Sequence, residues 1–426
     1  MIDALEALLE YGIEPPYRDG CEPLRILKPD LDYLLTWATE IKASDIIFQP
    51  GEPPVVVYRD ETVRVMKRLL STDEVNDILV IVTSPDAPAR LKGANDIPFS
   101  WQVKQDRLST LRYRGQATAI QSPSGMDSAV EVVFRTMPAA PPTVDEIGLP
   151  PEIVDAALAK DGLMLVTGPT GSGKTTTLAA ILRKGLETKP GRRLICYEHP
   201  VEFDYYSVEN RQGTVAQSQV GEHVHSFQHG VTIALRRKPA RILFGEIRDV
   251  ETIEGAFVAA QTGHAVYGTL HTNSVPAAVP RMVNEFPAAS RWAMARNIID
   301  SSRLIMHQRL TKSSSGSLLA LREYLIFTEA VRARILSAGE LGYVGEMAAI
   351  LRENRTRLID DVKDKHDAGL LSEQSYLEFR QQYAAELTAL AAEAGPGARF
   401  STQLSEDAEV LRQSDADSLE MIHGDS

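Results

Sequence analysis

Nine residues, GPTGSGKTT from Gly168 to Thr176, fit the spacing G-x-x-x-x-G-K-[ST] in full. Glycines so spaced let backbone N–H groups turn inward on phosphate oxygens. The lysine can bridge the outer phosphates, and the hydroxyl after it can bind Mg2+. The candidate phosphate-binding residues are therefore Gly168, Pro169, Thr170, Gly171, Ser172, Gly173, Lys174, Thr175 and Thr176, with Thr175 the candidate Mg2+ ligand. ATP and Mg2+ are the implied ligands. An apolar run, Leu163–Thr167, precedes the motif, and helical patterning from about Lys174 to Leu186 follows it. Strand, loop and helix in that order argue against a chance glycine turn.

Carboxylates and imidazoles recur downstream. Glu246 closes the apolar run ILFGEIRD (Ile242–Asp249), at a place where many nucleotide-hydrolysing folds put an aspartate that holds the magnesium shell. A carboxylate ending a strand beside a phosphate loop is better placed for chemistry than for solvation alone. His264 and His271 flank the strand-like run in TGHAVYGTLHT (Thr262–Thr272) and fall on opposite faces by parity. At least one is expected at the phosphate region or an interface; a shared metal is disfavoured by their spacing. The three histidines of EHVHSFQH (Glu222–His229) read as a solvated loop entering a helix in preference to a metal site. Arg236–Lys238 reads either as a solvated helix end or as a contact to a neighbouring subunit or acidic ligand.

The chain that must position these groups has 426 residues, a formal net charge of −13 and 43% hydrophobic residues. Such a length suggests two or three domains. The acidic balance speaks against a dedicated nucleic-acid binder. Cys21 and Cys196 make neither a CxxC pair nor a zinc set, and suit a reduced, cytosolic protein. No apolar stretch approaches a membrane span, and Met1–Ala4 does not open a signal peptide. The expected location is cytoplasmic, with any attachment to the inner membrane peripheral and through partner proteins.

Along the chain, 1–30 reads as an N-terminal extension. Residues 31–137 mix strands (VVVYRD, LRYRGQATAI, VEVVFRTM) with a helix, STDEVNDILVIV, in which Ser71 and Glu74 have capping-box spacing. The proline-rich run 138–151 reads as a linker. Within 152–335, strands LMLVT, RLICY, RILFG and HAVYGTL alternate with helices, one of them capped by Asp249 and ended by Gly263. That order implies an α/β class with a parallel sheet. Residues 285–390 read as mostly helical, with 336–394 a C-terminal helical region. The acidic stretch 395–426 reads as disordered.

Four motifs occur in order: GPTGSGKTT, YEHPVEF (Tyr197–Phe203), GEIRDVETI (Gly245–Ile253) and TGHAVYGTLHT. They resemble the Walker A motif, Asp box, atypical Walker B and His box of the PilT/GspE-type secretion and pilus motor ATPases, the type II/IV secretion family. ASDIIFQPGEPP (Ala43–Pro54), IPFSW, LRYRGQ and VVFRTMP resemble the strands of that family's PAS-like N-domain. ALRRKP and QTGHAVYGTLHTNSV, without a zinc tetracysteine, most resemble the DotB and TraJ type, which serves type IVB secretion and conjugation.

The resemblance implies a PAS-like α+β N-terminal domain, a RecA-like P-loop NTPase domain and a homohexameric ring. It implies that Glu246 polarises the attacking water, that Lys174 offsets charge, and that Glu202 is catalytic with Glu198 on the nucleotide side. His199 stands where the family's Asp box usually has aspartate, and Ala240 where many relatives have aspartate. His264 and His271 are the His-box candidates. Arg112, Arg114 and Arg135 are the N-domain arginines that would reach the γ-phosphate. The implied function is ATP-driven mechanical work on a membrane-embedded secretion or conjugation apparatus. A type IV pilus retraction motor stays open on the same chemistry, although FTEAVRARILSAG (Phe327–Gly339) only loosely matches the partner-facing helix of those motors. A nucleic-acid translocase and a nucleotide-gated adaptor also stay open but are not favoured.

Overall fold

Alternating burial along the strands of the first 137 residues builds one antiparallel sheet. The computed structural model describes residues 12–17, 21–59, 61–91, 96–105, 110–122, 125, 128–137, 140–393 and 408–409. Much of the N-terminal extension and nearly all of the acidic stretch 395–426 thus lie outside the described residues. The chain divides into two compact units between Ala139 and Ala140.

The first unit contains α1 (Lys28–Glu40), β1 (Asp45–Phe48), β2 (Val55–Tyr58), β3 (Glu61–Arg64), α2 (Thr72–Val82), α3 (Ala87–Leu91), β4 (Ile97–Lys104), β5 (Thr110–Gln121) and β6 (Ser128–Met137). The strand order is β3-β2-β1-β6-β5-β4, with antiparallel neighbours throughout. In β5, Tyr113, Gly115 and Ala117 are buried while Arg112, Arg114 and Gln116 take the other face, the period-2 pattern of a half-buried strand. Phe134 anchors the core, its ring edge-on to Phe48, Phe99 and Tyr113 at centroid distances of 5.8, 5.3 and 6.5 Å.

At α2 the expected cap is half made. Ser71 Oγ accepts from Glu74 N at 3.2 Å. The Glu74 carboxylate does not return to the cap; it accepts from Arg68 at 2.8 and 2.6 Å and from Ile26 N at 2.7 Å. A buried carboxylate gains more from a bidentate guanidinium than from one exposed N–H.

The second unit contains α4 (Pro151–Ala157), β7 (Gly162–Thr167), α5 (Lys174–Thr188), β8 (Arg193–Glu198), β9 (Thr214–Gln219), α6 (Phe227–Ala234), β10 (Arg241–Phe244), α7 (Val250–Gln261), β11 (Ala265–Leu270), α8 (Ala278–Val283), α9 (Arg291–Ser301), β12 (Ser302–Lys312), β13 (Leu318–Ile326), α10 (Glu329–Ser337), α11 (Gly339–Asn354), α12 (Leu358–Asp367) and α13 (Glu373–Glu393). The sheet order is β13-β12-β7-β11-β10-β8-β9. All neighbours are parallel except β12 and β13. Apolar cores cover both faces. Leu163 and Leu165 enter the core shared with α7, α9 and α11, and Met164 and Val166 enter the core shared with α4 and α5. Burial on both faces is why these strands read as continuous apolar runs.

The mostly helical expectation for 285–390 fails over 302–326, which form the β12–β13 hairpin. The Leu304–His307 run is buried on both faces, so it has no alternation to betray a strand. From α10 onward the segment is helical. The proline-rich run behaves unlike a free tether beyond Ala140: Val144 and Leu149 are buried, and Arg322 donates to the carbonyls of Gly148 and Ile147 at 2.8 and 2.7 Å.

Phe134→Ala removes the ring on which three aromatic contacts converge. It should cost the first unit about 3–5 kcal/mol, read as a lower urea midpoint by tryptophan fluorescence.

Candidate active site

The loop from Gly168 to Gly173 leaves the C-terminal end of β7 and turns directly into α5. Gly173 is the N-cap, left-handed at φ 79°, and no side chain caps the helix. The first N–H groups of α5 therefore have no helical acceptor and no cap, which is the arrangement that binds an anion. Gly168 has φ 145°, and a Cβ there would stand 2.3 Å from Gln308 O and 2.6 Å from Ser172 Oγ. Only glycine lets the loop lie this close to β12. Pro169, Thr170 and Gly171 form its exposed tip.

Gln308 fixes the loop. Its Nε2 donates to Ser172 O at 2.7 Å, and its Oε1 accepts from Thr177 Oγ1 and from Arg322 Nε at 3.0 Å each. Beside it, His307 is fully buried, its Nδ1 3.3 Å from Thr167 Oγ1 and its Nε2 3.3 Å from Arg309 Nε. An arginine can only donate, so Nε2 carries no proton and the ring is the neutral Nδ1–H tautomer. Burial, then the Arg309 charge, lowers its pKa to about 3. Neither residue, nor Arg322, was singled out from the sequence. A hydrophobic run closed by the turn signal KSSSG was the available clue.

Lys174 is buried, and its Nζ folds back onto the carbonyls of Gly168 and Pro169, each at 2.8 Å. Burial lowers its pKa, and the carboxylates of Glu246 and Glu202 oppose that shift. Burial, then Lys174, lowers the His271 imidazole, while Glu246 pulls it upward. Lys174, Glu246, Glu202 and His271 therefore share one electrostatic neighbourhood. Glu246 is held at the end of β10 because Gly245 N donates to Tyr197 O at 2.8 Å and Ile247 N to Thr269 O at 3.0 Å. Its side chain is 35% exposed and meets Arg248 at 3.8 Å, so it stays reachable from solvent. Glu198, at the end of β8, is buried and accepts from Gln217 Nε2 at 3.3 Å.

His264 is not brought to this edge. It precedes β11, whereas His271 follows it, and a strand of that length separates them by roughly 20 Å at ~3.3 Å per residue. Its Nδ1 lies 3.1 Å from Ala259 O at the end of α7, a helix-terminal contact. His199 Nδ1 lies 2.9 Å from Val220 O. His225 and His229 contact each other as rings, and His223 Nδ1 accepts from Gln219 N at 3.0 Å. Among the described residues no group of three His, Cys, Asp or Glu is arranged for a metal.

Arg112, Arg114 and Arg135 belong to the first unit and share one face of its sheet, with Arg114 directly opposite Arg135. Arg135 Nε donates to Asp45 Oδ1 at 2.8 Å.

The residues fit a nucleotide triphosphate with Mg2+. The uncapped helix start faces the loop, and Ser172 Oγ is buried with no hydrogen-bond partner. Thr175, in the first turn of α5, offers the hard oxygen donor that Mg2+ prefers. The family described as type II/IV secretion system protein matches residues 22–384.

The chain belongs to that family. It is 33% identical over 304 residues to the type IV pilus retraction ATPase PilT of Pseudomonas aeruginosa, covering 71% of this chain and 84% of that one. The X-ray structure of the Legionella pneumophila ATPase DotB superposes with a TM-score of 0.74 at 35% identity, covering 83% of this chain and 96% of the other. The pilus retraction motor PilT with bound ADP gives 0.72 at 29% identity, covering 84% and 97%. The chain is an ATP-hydrolysing enzyme of the secretion and motor class. Among its described residues no helix is long and apolar enough to cross a membrane.

Gln308→Ala should lower ATP turnover at least tenfold while the protein stays folded, because the loop loses its brace but not its backbone donors. Circular dichroism beside a phosphate-release assay checks this. His307 carries a pH signature. Its folded pKa of about 3 lies below the unfolded 6.5, so the unfolded chain takes up the proton first and stability is lost as pH falls below 6.5. The loss should reach about 1.5 kcal/mol between pH 6.5 and 5. His307→Gln should flatten that part of the urea-stability profile.

Proposed function

We propose that this ATPase drives a type IVB secretion or conjugative transfer apparatus, working as a homohexamer attached to the inner membrane through partner proteins. The likeness to DotB over 96% of that chain is the observation that carries this reading. The first unit acts as the PAS-like domain and the second as the RecA-like motor domain, with the segment 138–151 joining them.

ATP takes its phosphates on the loop Gly168–Thr176, displacing the Lys174 ammonium from the carbonyls it now holds. That exchange leaves Lys174 facing the outer phosphates in a poorly solvated place, where its charge counts most. Glu246 orients the attacking water and draws on its proton. Glu202 and Glu198 set the surrounding charge, and the exposed His271 meets the phosphate side of the site. Thr175 would hold Mg2+ together with the phosphates, and the ion would supply Lewis-acid charge neutralisation there. The remaining chemistry is positioning and charge stabilisation. Arg112 and Arg135 are the N-domain arginines expected to reach the γ-phosphate, in preference to Arg114.

Retraction of a type IV pilus is the second reading, favoured by the identity to PilT over 84% of its length. Deleting the gene in its own cells separates the two. Loss of secretion or plasmid transfer with intact twitching motility supports the first, and the converse supports the second.

Lys174→Ala should abolish hydrolysis and weaken ATP binding. Glu246→Gln should bind ATP almost normally yet turn over at least a hundredfold more slowly; equal loss of both would make Glu246 structural. Single alanine variants at Arg112, Arg114 and Arg135 test the arginine assignment. At least one should cut turnover by orders of magnitude and leave ADP affinity nearly unchanged. Near-normal turnover in all three would sink it.

A further inference from the structure

A second cationic site lies at the other edge of the motor sheet. A cleft of about 150 Å³ opens among the N-terminal ends of β8, β10 and β11 and the turn entering β7. Lys160, Lys189, Arg192 and Arg241 line it, together with the small side chains of Ala240 and Ala265. No lining residue is acidic. The acids adjoining these lysines in sequence are committed elsewhere: Asp161 pairs with Arg303 at 2.6 Å and Glu187 with Arg183 at 2.9 Å. Four cations gathered without a carboxylate are unusual in a chain of net charge −13.

Arg241 shows that the cleft is built rather than incidental. It is only 4% exposed, a rare state for an arginine without an ion pair. Its Nη1 donates to Gly185 O at 3.3 Å and the guanidinium also hydrogen-bonds the Tyr267 hydroxyl, and the five N–H donors of the fork outnumber these two partners. A Cβ on Gly185 would stand 3.1 Å from the Arg241 Cζ and 3.0 Å from Leu158 Cδ2. A glycine inside a helix costs about 1 kcal/mol relative to alanine. Here it leaves room for the guanidinium beside the last turn of α5.

Cations at a helix C-terminus also answer the helix dipole. That accounts for Arg241 and Lys189, but Arg192 and Lys160 come from separate segments and converge on the same hollow. The volume is below the roughly 300 Å³ of the smallest drug-sized pockets, so a nucleoside does not fit. A compact tetrahedral oxyanion does.

We propose that this cleft is a binding site for a phosphoryl oxyanion, distinct from the nucleotide loop. The two sites occupy opposite ends of α5, a rod of about 22 Å at 1.5 Å per residue, so they do not compete for one phosphate. The anion is either a phosphate free in solution or the headgroup of an anionic lipid; both present the same oxygens to the same donors.

The full chain, saturated with ADP to fill the loop, is titrated with inorganic phosphate by calorimetry and, separately, floated with phosphatidylglycerol vesicles. Wild type should bind in one of the two arms, saturably. Lys189→Glu with Arg192→Glu, at positions outside the core, should weaken that binding at least tenfold with an unchanged circular dichroism spectrum. Binding of phosphate identifies the free anion, and binding of vesicles alone identifies the headgroup. Binding in neither arm, or binding indifferent to the double substitution, overturns the site.

Discussion

The glycine-rich loop between β7 and α5 is held in shape by one side-chain amide. Gln308 donates to Ser172 O below the loop and accepts from Thr177 in the first full turn of α5, so both ends of the turn are referred to β12. The register makes this contact inevitable, since β12 pairs with β7 with His307 opposite Thr167, the last strand residue before the loop. An arginine completes the brace. Arg322 donates to the same Oε1 and to the carbonyls of Ile147 and Gly148. Segment 140–150 and the glycine-rich loop are thereby three hydrogen bonds apart through the buried side chains of Arg322 and Gln308, and a buried network of this kind is stiff only while every member is satisfied.

The charge balance follows from that frame. Lys174 is buried against two carbonyls, which solvate the ammonium poorly, and burial lowers its pKa. Glu246 and Glu202 oppose that shift. Neutral His307 avoids adding a second cation behind the loop, and its tautomer is set by Arg309 donating to Nε2. The carboxylates, His271 and the loop all sit at the C-terminal ends of parallel strands, where side chains from separate strands can converge while the sheet stays intact.

How much of this the sequence carried depends on how local each determinant is. The strand–loop–helix order around Gly168–Thr176 was legible, because its determinants act within one turn. Strands β7, β8, β10 and β11 were legible as apolar runs, and the Asp249 cap of α7 as a side chain three residues before the N–H it meets. Strand β12 was not, because burial on both faces erases the alternation that distinguishes a strand from a buried helix. Gln308, His307 and Arg322 were lost with it. Their roles depend on pairing across more than a hundred residues, which no local pattern encodes. His264 and His271 looked equivalent in sequence, and only the direction of β11 tells them apart.

The first unit carries an analogous lesson in charge. Arg114 and Arg135 stand directly across β5 and β6, where like charges oppose sheet formation. Asp45, across β1 from Arg135, relieves the pair on one side. Arg114 is exposed and its β4 neighbour is Ser100, a residue with no charge to give. A sheet could discard that repulsion by one substitution at no cost to its core, since Tyr113, Gly115 and Phe134 lie on the other face. Keeping the cations together on an accessible face is what a surface meeting an anion requires, and Arg135 stays 63% exposed even in its ion pair with Asp45.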